Sequence, residues 1–140
     1  MRCTYLWRRY HDYLGYTHTR YLEYLGITMS TLSKDRLHGT LDALILKTLS
    51  AAPCHGYAIA RAIEQAADDV IQVEEGSLYP ALYRMENRGW IEADWGKSEV
   101  GRKAKIYRLT STGRKHLRLE MAEWAQFSAA VSRILNPATG

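Results

Sequence analysis

The sequence predicts a mainly α-helical fold with a small β-hairpin, closed by a helix as long as the rest of the domain is wide. Three observations carry that expectation. From Thr40 onward, apolar residues recur at helical spacing through two consecutive segments. The stretch Glu74–Trp95 runs from a short amphipathic helix through Gly89 into an alternating strand. Residues 111–136 then hold a single apolar stripe along their length.

Composition bounds the reading. A chain of 140 residues has room for one compact domain plus an extra helix, and an apolar content of 46% suffices for a core. No run of 18 apolar residues exists, so no ordinary transmembrane helix and no membrane partner are expected. Tyr, Arg and His interrupt the N-terminal stretch, which therefore does not read as a signal peptide. Cys3 and Cys54 are far apart, with no second Cys or His at zinc-finger spacing. These features favour a reduced cytoplasmic setting without a disulfide framework.

The first element begins late. Residues 1–28 hold six of the ten tyrosines, and Tyr-Leu recurs at Tyr5, Tyr13 and Tyr21, a spacing that suits neither helix nor strand. Met29 offers an internal start just before the patterned region. The expectation is an N-terminal extension over residues 1–36, largely outside the fold, as an extended or misassigned terminus. A helical arm packing on a partner subunit is the alternative.

From there the elements follow in order. Leu41, Leu44, Ile45, Thr48 and Leu49 form the inward stripe of a first helix, with Thr40 placed to cap it and Pro53 beyond its end. A second helix is expected from Gly56 to about Ala67, with Tyr57, Ile59, Ala60 and Ile63 facing inward. Between the two, Pro53–Gly56 turns the chain sharply, and His55 suits a turn or a helix cap. Val70–Val73 reads as a short edge strand or an extended lead. In the third helix, Ser77 is expected as N-cap, with Pro80 at the third helical position, where its missing N–H costs nothing. Leu78, Leu82 and Met85 give its apolar stripe, and Gly89 stops it. Ser77, Tyr79, Tyr83, Arg84, Asn87 and Arg88 lie off that stripe.

Two strands follow. Ile91, Ala93 and Trp95 share one face of the first, and Tyr107 and Leu109 one face of the second, with a polar loop from Gly96 to Ala104 between them. Helix, turn, helix, connector, helix and hairpin make a winged helix-turn-helix over residues 37–110. Thr110 can cap the last helix, residues 111–136, roughly 35–40 Å long at 1.5 Å per residue. Leu117, Met121, Trp124, Val131 and Leu135 form its stripe, widened by Phe127 and Ile134. A domain this small cannot cover such a face, so it is expected to meet the same helix of a second subunit, as a dimerisation helix.

Charge is distributed unevenly although the net value is only +4. Lys97, Arg102, Lys103, Lys105, Arg108, Arg114, Lys115 and Arg118 face Glu99 alone. Over residues 42–75, by contrast, the charged residues are mostly acidic, with Asp42, Glu64, Asp68, Asp69, Glu74 and Glu75 against Lys47 and Arg61. A basic loop beside an exposed helix suits a protein that turns one side to a polyanion. On that reading the third helix enters the major groove of double-stranded DNA. Ser77, Tyr79, Tyr83 and Arg84 would lie near bases or phosphates there, and Lys97, Arg102, Lys103 and Lys105 would contact the flanking backbone or minor groove. Tyr79 and Tyr83 also fit as partly buried structural residues.

Catalytic and cofactor chemistry find no support. Trp95-Gly96-Lys97-Ser98 lacks the earlier glycine of a phosphate-binding loop and falls in a hairpin. No histidine pair sits at metal-ligand spacing, and Ser77 has no base beside it. No enzyme activity, cofactor or metal is expected.

Five segments together resemble the PadR family of transcriptional regulators. They are Gly39-Thr40-Leu41-Asp42, His55-Gly56-Tyr57, Gly76-Ser77-Leu78-Tyr79-Pro80-Ala81-Leu82, Gly89-Trp90-Ile91, and Tyr107-Arg108-Leu109-Thr110 with Gly113. The resemblance covers about residues 37–136 and implies a dimeric winged-helix repressor bound to a pseudo-palindromic operator. The third helix would be its reader and the single last helix its dimer element, as in the short-tailed subgroup. Where the family often carries a lysine late in the reading helix, this chain has Tyr83. The family commonly senses small aromatic or lipophilic compounds, which makes Trp124 a candidate effector contact; plain interface packing is the alternative. A winged-helix protein-interaction module without a DNA site is the competing function.

Overall fold

The computed structural model describes residues 40–97 and 101–136. The N-terminal extension expected over residues 1–36 lies outside the described residues, as do positions 98–100 of the loop. Four helices and three strands are described: α1 (Leu41–Ala51), β1 (Cys54–His55), α2 (Gly56–Ala66), α3 (Glu75–Asn87), β2 (Ile91–Lys97), β3 (Lys103–Leu109) and α4 (Ser111–Leu135). This is the winged helix-turn-helix with a long final helix that the sequence predicts.

The helical periodicities place the core. Leu41, Ile45 and Leu49 of α1, Ile59 and Ile63 of α2, and Leu78, Leu82 and Met85 of α3 are all buried together. Ile91 and Tyr107 of the sheet and Leu117 of α4 close the same cluster. Thr48, on the predicted stripe, satisfies its hydroxyl by donating to the Leu44 carbonyl at 2.9 Å, which is how a buried polar group avoids a desolvation cost. Thr40 precedes α1 but makes no side-chain cap hydrogen bond, contrary to expectation.

Two connections differ from the sequence reading. The expected sharp turn before α2 contains a strand. Cys54 and His55 pair antiparallel with Tyr107 and Ile106, so the sheet has three strands in the order β1-β3-β2. Two residues are too short for an alternation signal, and only the partner strand reveals them. Cys54 is buried there. His55 does cap α2, its Nδ1 accepting from the Ala58 N–H at 3.2 Å. After α2, Asp68 and Asp69 turn the chain with φ of 48° and 60°, a left-handed conformation that Asp tolerates better than most residues. Val70–Val73 is an extended lead rather than a strand. Buried Glu64 holds it, accepting the Val73 N–H at 3.1 Å while pairing with Arg61 at 3.0 Å.

The start of α3 also shifts. The helix begins at Glu75, so Ser77 is its third residue and not its cap; Glu74 takes the cap position, with no side-chain capping hydrogen bond to the helix. Pro80 accordingly sits at the sixth helical position, inside the helix. There it removes the bond to the Gly76 carbonyl, a defect worth about 3 kcal/mol in an isolated helix. Burial of Leu78, Ala81, Leu82 and Met85 offsets it. Gly89 ends the helix with φ of 73°, and the Trp90 N–H returns to the Met85 carbonyl at 3.0 Å. No described helix is long and apolar enough to cross a membrane.

Candidate nucleic-acid interface

With its apolar stripe buried, α3 leaves Tyr79, Tyr83, Asn87 and Arg88 on the outside. The two tyrosines differ. Tyr83 is 69% exposed and lies outside the core cluster. Tyr79 is 45% exposed, and its ring lies so close to Gly56 that a Cβ there would be 2.9 Å from Cε1. That approach gives Gly56 its reason: any side chain would push Tyr79 off the start of α2. Tyr79 is thus a supported residue, its hydroxyl end against the start of α2, that remains partly exposed on the outer face. Ser77 is only partly exposed.

Arg84 does not stand free. Its Nη2 donates to Asp42 Oδ1 at 2.6 Å, tying α3 to the first turn of α1. Lys105 is held likewise, its Nζ 2.9 Å from Glu86 Oε2. The hydrogen bond from Glu86 raises the Lys105 pKa above 10.5, so the ammonium stays charged at neutral pH. Both residues lie beside the outer face of α3, but each already has an acidic partner.

The hairpin divides into two electrically different faces. In an antiparallel pair, directly opposed residues point to the same side. One face therefore carries Ile91 with Leu109, Ala93 with Tyr107, Trp95 with Lys105, and Lys97 with Lys103. It runs outward from core to indole to cations. On the other face Arg108 pairs with Asp94 at 2.6 Å and Glu92 at 3.6 Å, so its charge is balanced. Lys97, Arg102 and Lys103 are exposed, and no ion pair involves them among the described residues. Of the predicted wing cations, these three form an unpaired tip. Tyr107, buried beneath, has its pKa raised by desolvation and keeps its phenol protonated.

Two exposed aromatics escaped the sequence reading. Tyr57 was expected to face inward and is 64% exposed, stacked near His55 with centroids 6.4 Å apart. At 100° per residue it lies well off the line through Ile59, Ala60 and Ile63, so the helical wheel held the signal. Trp95 shares a strand face with Ile91, yet it is 66% exposed because the body of the domain ends before it.

The last helix splits the residues assigned to it. Thr110 caps α4, its hydroxyl accepting the Gly113 N–H at 3.0 Å. Leu117 is 6% exposed within the domain's own core, and so leaves the expected dimer stripe. Met121, Trp124, Phe127, Ile134 and Leu135 are exposed, and Val131 is partly so. Trp124 and Phe127 contact at 6.1 Å between centroids, tilted by 44°.

Comparison with known proteins agrees with this architecture. Residues 45–119 match the family model described as the transcriptional regulator PadR-like family. An uncharacterised protein of Lysinibacillus sphaericus is 35% identical over 92 residues, which is 66% of this chain and 84% of that protein. A transcriptional regulator from Clostridium thermocellum superposes with a TM-score of 0.66 at 28% identity, over 74% of this chain and 97% of that one. A PadR-like transcriptional regulator from Bacillus cereus gives 0.64 at 30%, over 74% and 98%.

Proposed function

Since the chain belongs to the PadR-like family of DNA-binding transcriptional regulators, which are not enzymes, we propose that it is a homodimeric cytoplasmic repressor. Its two α3 helices occupy successive major grooves of a pseudo-palindromic operator, and its wings lie on the flanking backbone. The observation that carries this reading is continuity. The exposed Tyr79–Tyr83 face of α3 adjoins, through the Lys105–Glu86 pair, the hairpin face that ends in Lys97 and Lys103. The apolar distal part of α4 supplies the dimer contact.

A salt titration tests how many cations meet phosphate. Three unpaired cations per subunit, six per dimer, predict that log K falls against log salt with a slope of about −5. If Arg84 and Lys105 left their carboxylates for phosphate, the slope would steepen to about −9. A gel shift on fragments selected from genomic DNA should disappear in the Arg102→Ala/Lys103→Ala variant while the dimer persists. Retained binding would favour a protein-interaction role over a DNA site. We also assign Trp124 as the contact for a small planar aromatic effector that releases the DNA, because paired indoles across a two-fold axis can enclose such a molecule. Indole fluorescence that stays constant across aromatic cations and phenolics would remove that assignment.

A further inference from the structure

The wing presents an exposed indole among cations, and neither packing nor stability explains it. Trp95 is exposed and stands outside the core cluster, yet its surroundings define where it sits. Lys103 Nζ lies 5.0 Å from its ring centroid, a cation–π contact on one face of the indole. Lys105, directly opposite on β3, is anchored to Glu86 of α3. Gly96, next along β2, lies against Ile106, where a Cβ would be 3.1 Å from its Cγ1. The indole is therefore held on the side of the sheet that faces α3, with Lys97 and Lys103 just beyond it. The opposite side of the same hairpin is balanced by Glu92 and Asp94.

A ligand for this face must offer apolar surface and negative charge within a few ångströms of each other. The sugar–phosphate backbone of a nucleic acid does so at every nucleotide. We propose that Trp95 is a DNA-contact residue, its indole packing on a deoxyribose of the backbone while Lys97, Arg102 and Lys103 meet the phosphates beside it. This rests on the DNA-binding reading above and assigns the wing one mode. It grips the backbone by shape and charge, independently of base sequence. Tyr79 and Tyr83 of α3 then remain to discriminate bases.

Binding of full-length Trp95→Ala, Trp95→Phe and Lys103→Ala proteins to a selected operator and to unrelated duplex DNA tests the proposal, with salt varied for each. Trp95→Ala should weaken both DNAs equally, by about tenfold, the effect of leaving part of one indole unburied. Its salt slope should match wild type, because the indole displaces no counterion. Trp95→Phe should recover part of the loss. Lys103→Ala should instead flatten the slope by about one per wing. Trp95→Ala binding within twofold of wild type overturns the proposal and leaves the regulator reading standing. So does a slope flattened as in Lys103→Ala, which would make the indole only a support for that lysine. Anionic vesicles bound by wild type and lost in Trp95→Ala, with DNA binding unchanged, would reassign the face to lipid. Wild type that binds no duplex DNA overturns both readings. Because Trp95 is exposed, the variants should melt as wild type does.

Discussion

The two halves of α4 share one helix and one apolar stripe, yet their surroundings are opposite. Its first two turns are fastened to the domain. Thr110 donates its hydroxyl to the Gly89 and Trp90 carbonyls and gives its N–H to Trp90, while capping the helix. Gly113 lies against the Trp90 backbone, and Leu117 enters the core. From Leu119 onward the large apolar side chains face outward, Phe127 at 62% and Ile134 at 77% exposure. The difference teaches that one amphipathic stripe can serve two partners in succession. Periodicity says that a face is apolar and leaves open what covers each turn of it.

The fastened half should fail hardest when altered. A Cβ at Gly113 would run into the Trp90 carbonyl oxygen and lie 2.7 Å from Leu109 Cδ1. Backbone cannot yield there without breaking the Thr110–Trp90 bond. Gly113→Val should therefore unfold the domain or cost more than about 4 kcal/mol, read as a collapse of the thermal melt. Near-native melting would show that the helix can shift, and would dissolve the contrast between the halves. Next comes Leu117→Ala, expected to cost about 2–5 kcal/mol as a buried truncation. The informative readout is that denaturation moves at fixed subunit association. Loss of association with an unchanged melt would return Leu117 to the dimer stripe.

The outward half should behave in reverse. Trp124→Ala should leave the isolated domain's chemical shifts in place and weaken the proposed dimer by about 2 kcal/mol, or roughly thirtyfold. Analytical ultracentrifugation across concentration reads it directly. An unchanged dissociation constant would mean that the exposed stripe is not the subunit contact.

The same contrast marks what could be read from residues alone. Regular elements buried on one face were legible, because Leu78, Leu82 and Met85 or Ile59 and Ile63 repeat at the period of their element. The C-terminal stop at Gly89 and the cap at Thr110 were legible for a local reason: each depends on one residue's backbone or hydroxyl. The start of α3 was not, since Ser77 and Pro80 suggested a beginning three residues late, and burial of Leu78 outweighs the proline defect. Nor were the partners of cations. Arg84 looked free in sequence, but Asp42 lies 42 residues away and meets it only through the packing of α1 on α3. Lys105 and Glu86 meet by the same route. Which charges remain for DNA is a tertiary property, and it reduces the basic wing to its outermost three residues.

The boundary between the halves of α4 lies where Trp90 meets His116. The rings stack with centroids 3.6 Å apart and 15° between planes, and His116 Nε2 lies 3.0 Å from Glu120 Oε1. Arg88 places its guanidinium 4.9 Å from the Trp90 centroid. Residues at the end of α3 and the start of α4 thus share one indole. His116→Ala should cost about 1 kcal/mol, the usual worth of an aromatic pair, and lower the melting midpoint by about 4–8 °C for a domain of this size. His116→Phe should recover the stack without the Glu120 bond and regain most of that loss. If both variants melt like wild type, Thr110, Gly113 and Leu117 fasten the helix unaided, and the stack adds nothing at the boundary. If Phe fails to rescue, ring stacking alone does not make the joint, and Glu120 acts by holding the His116 ring in place against Trp90.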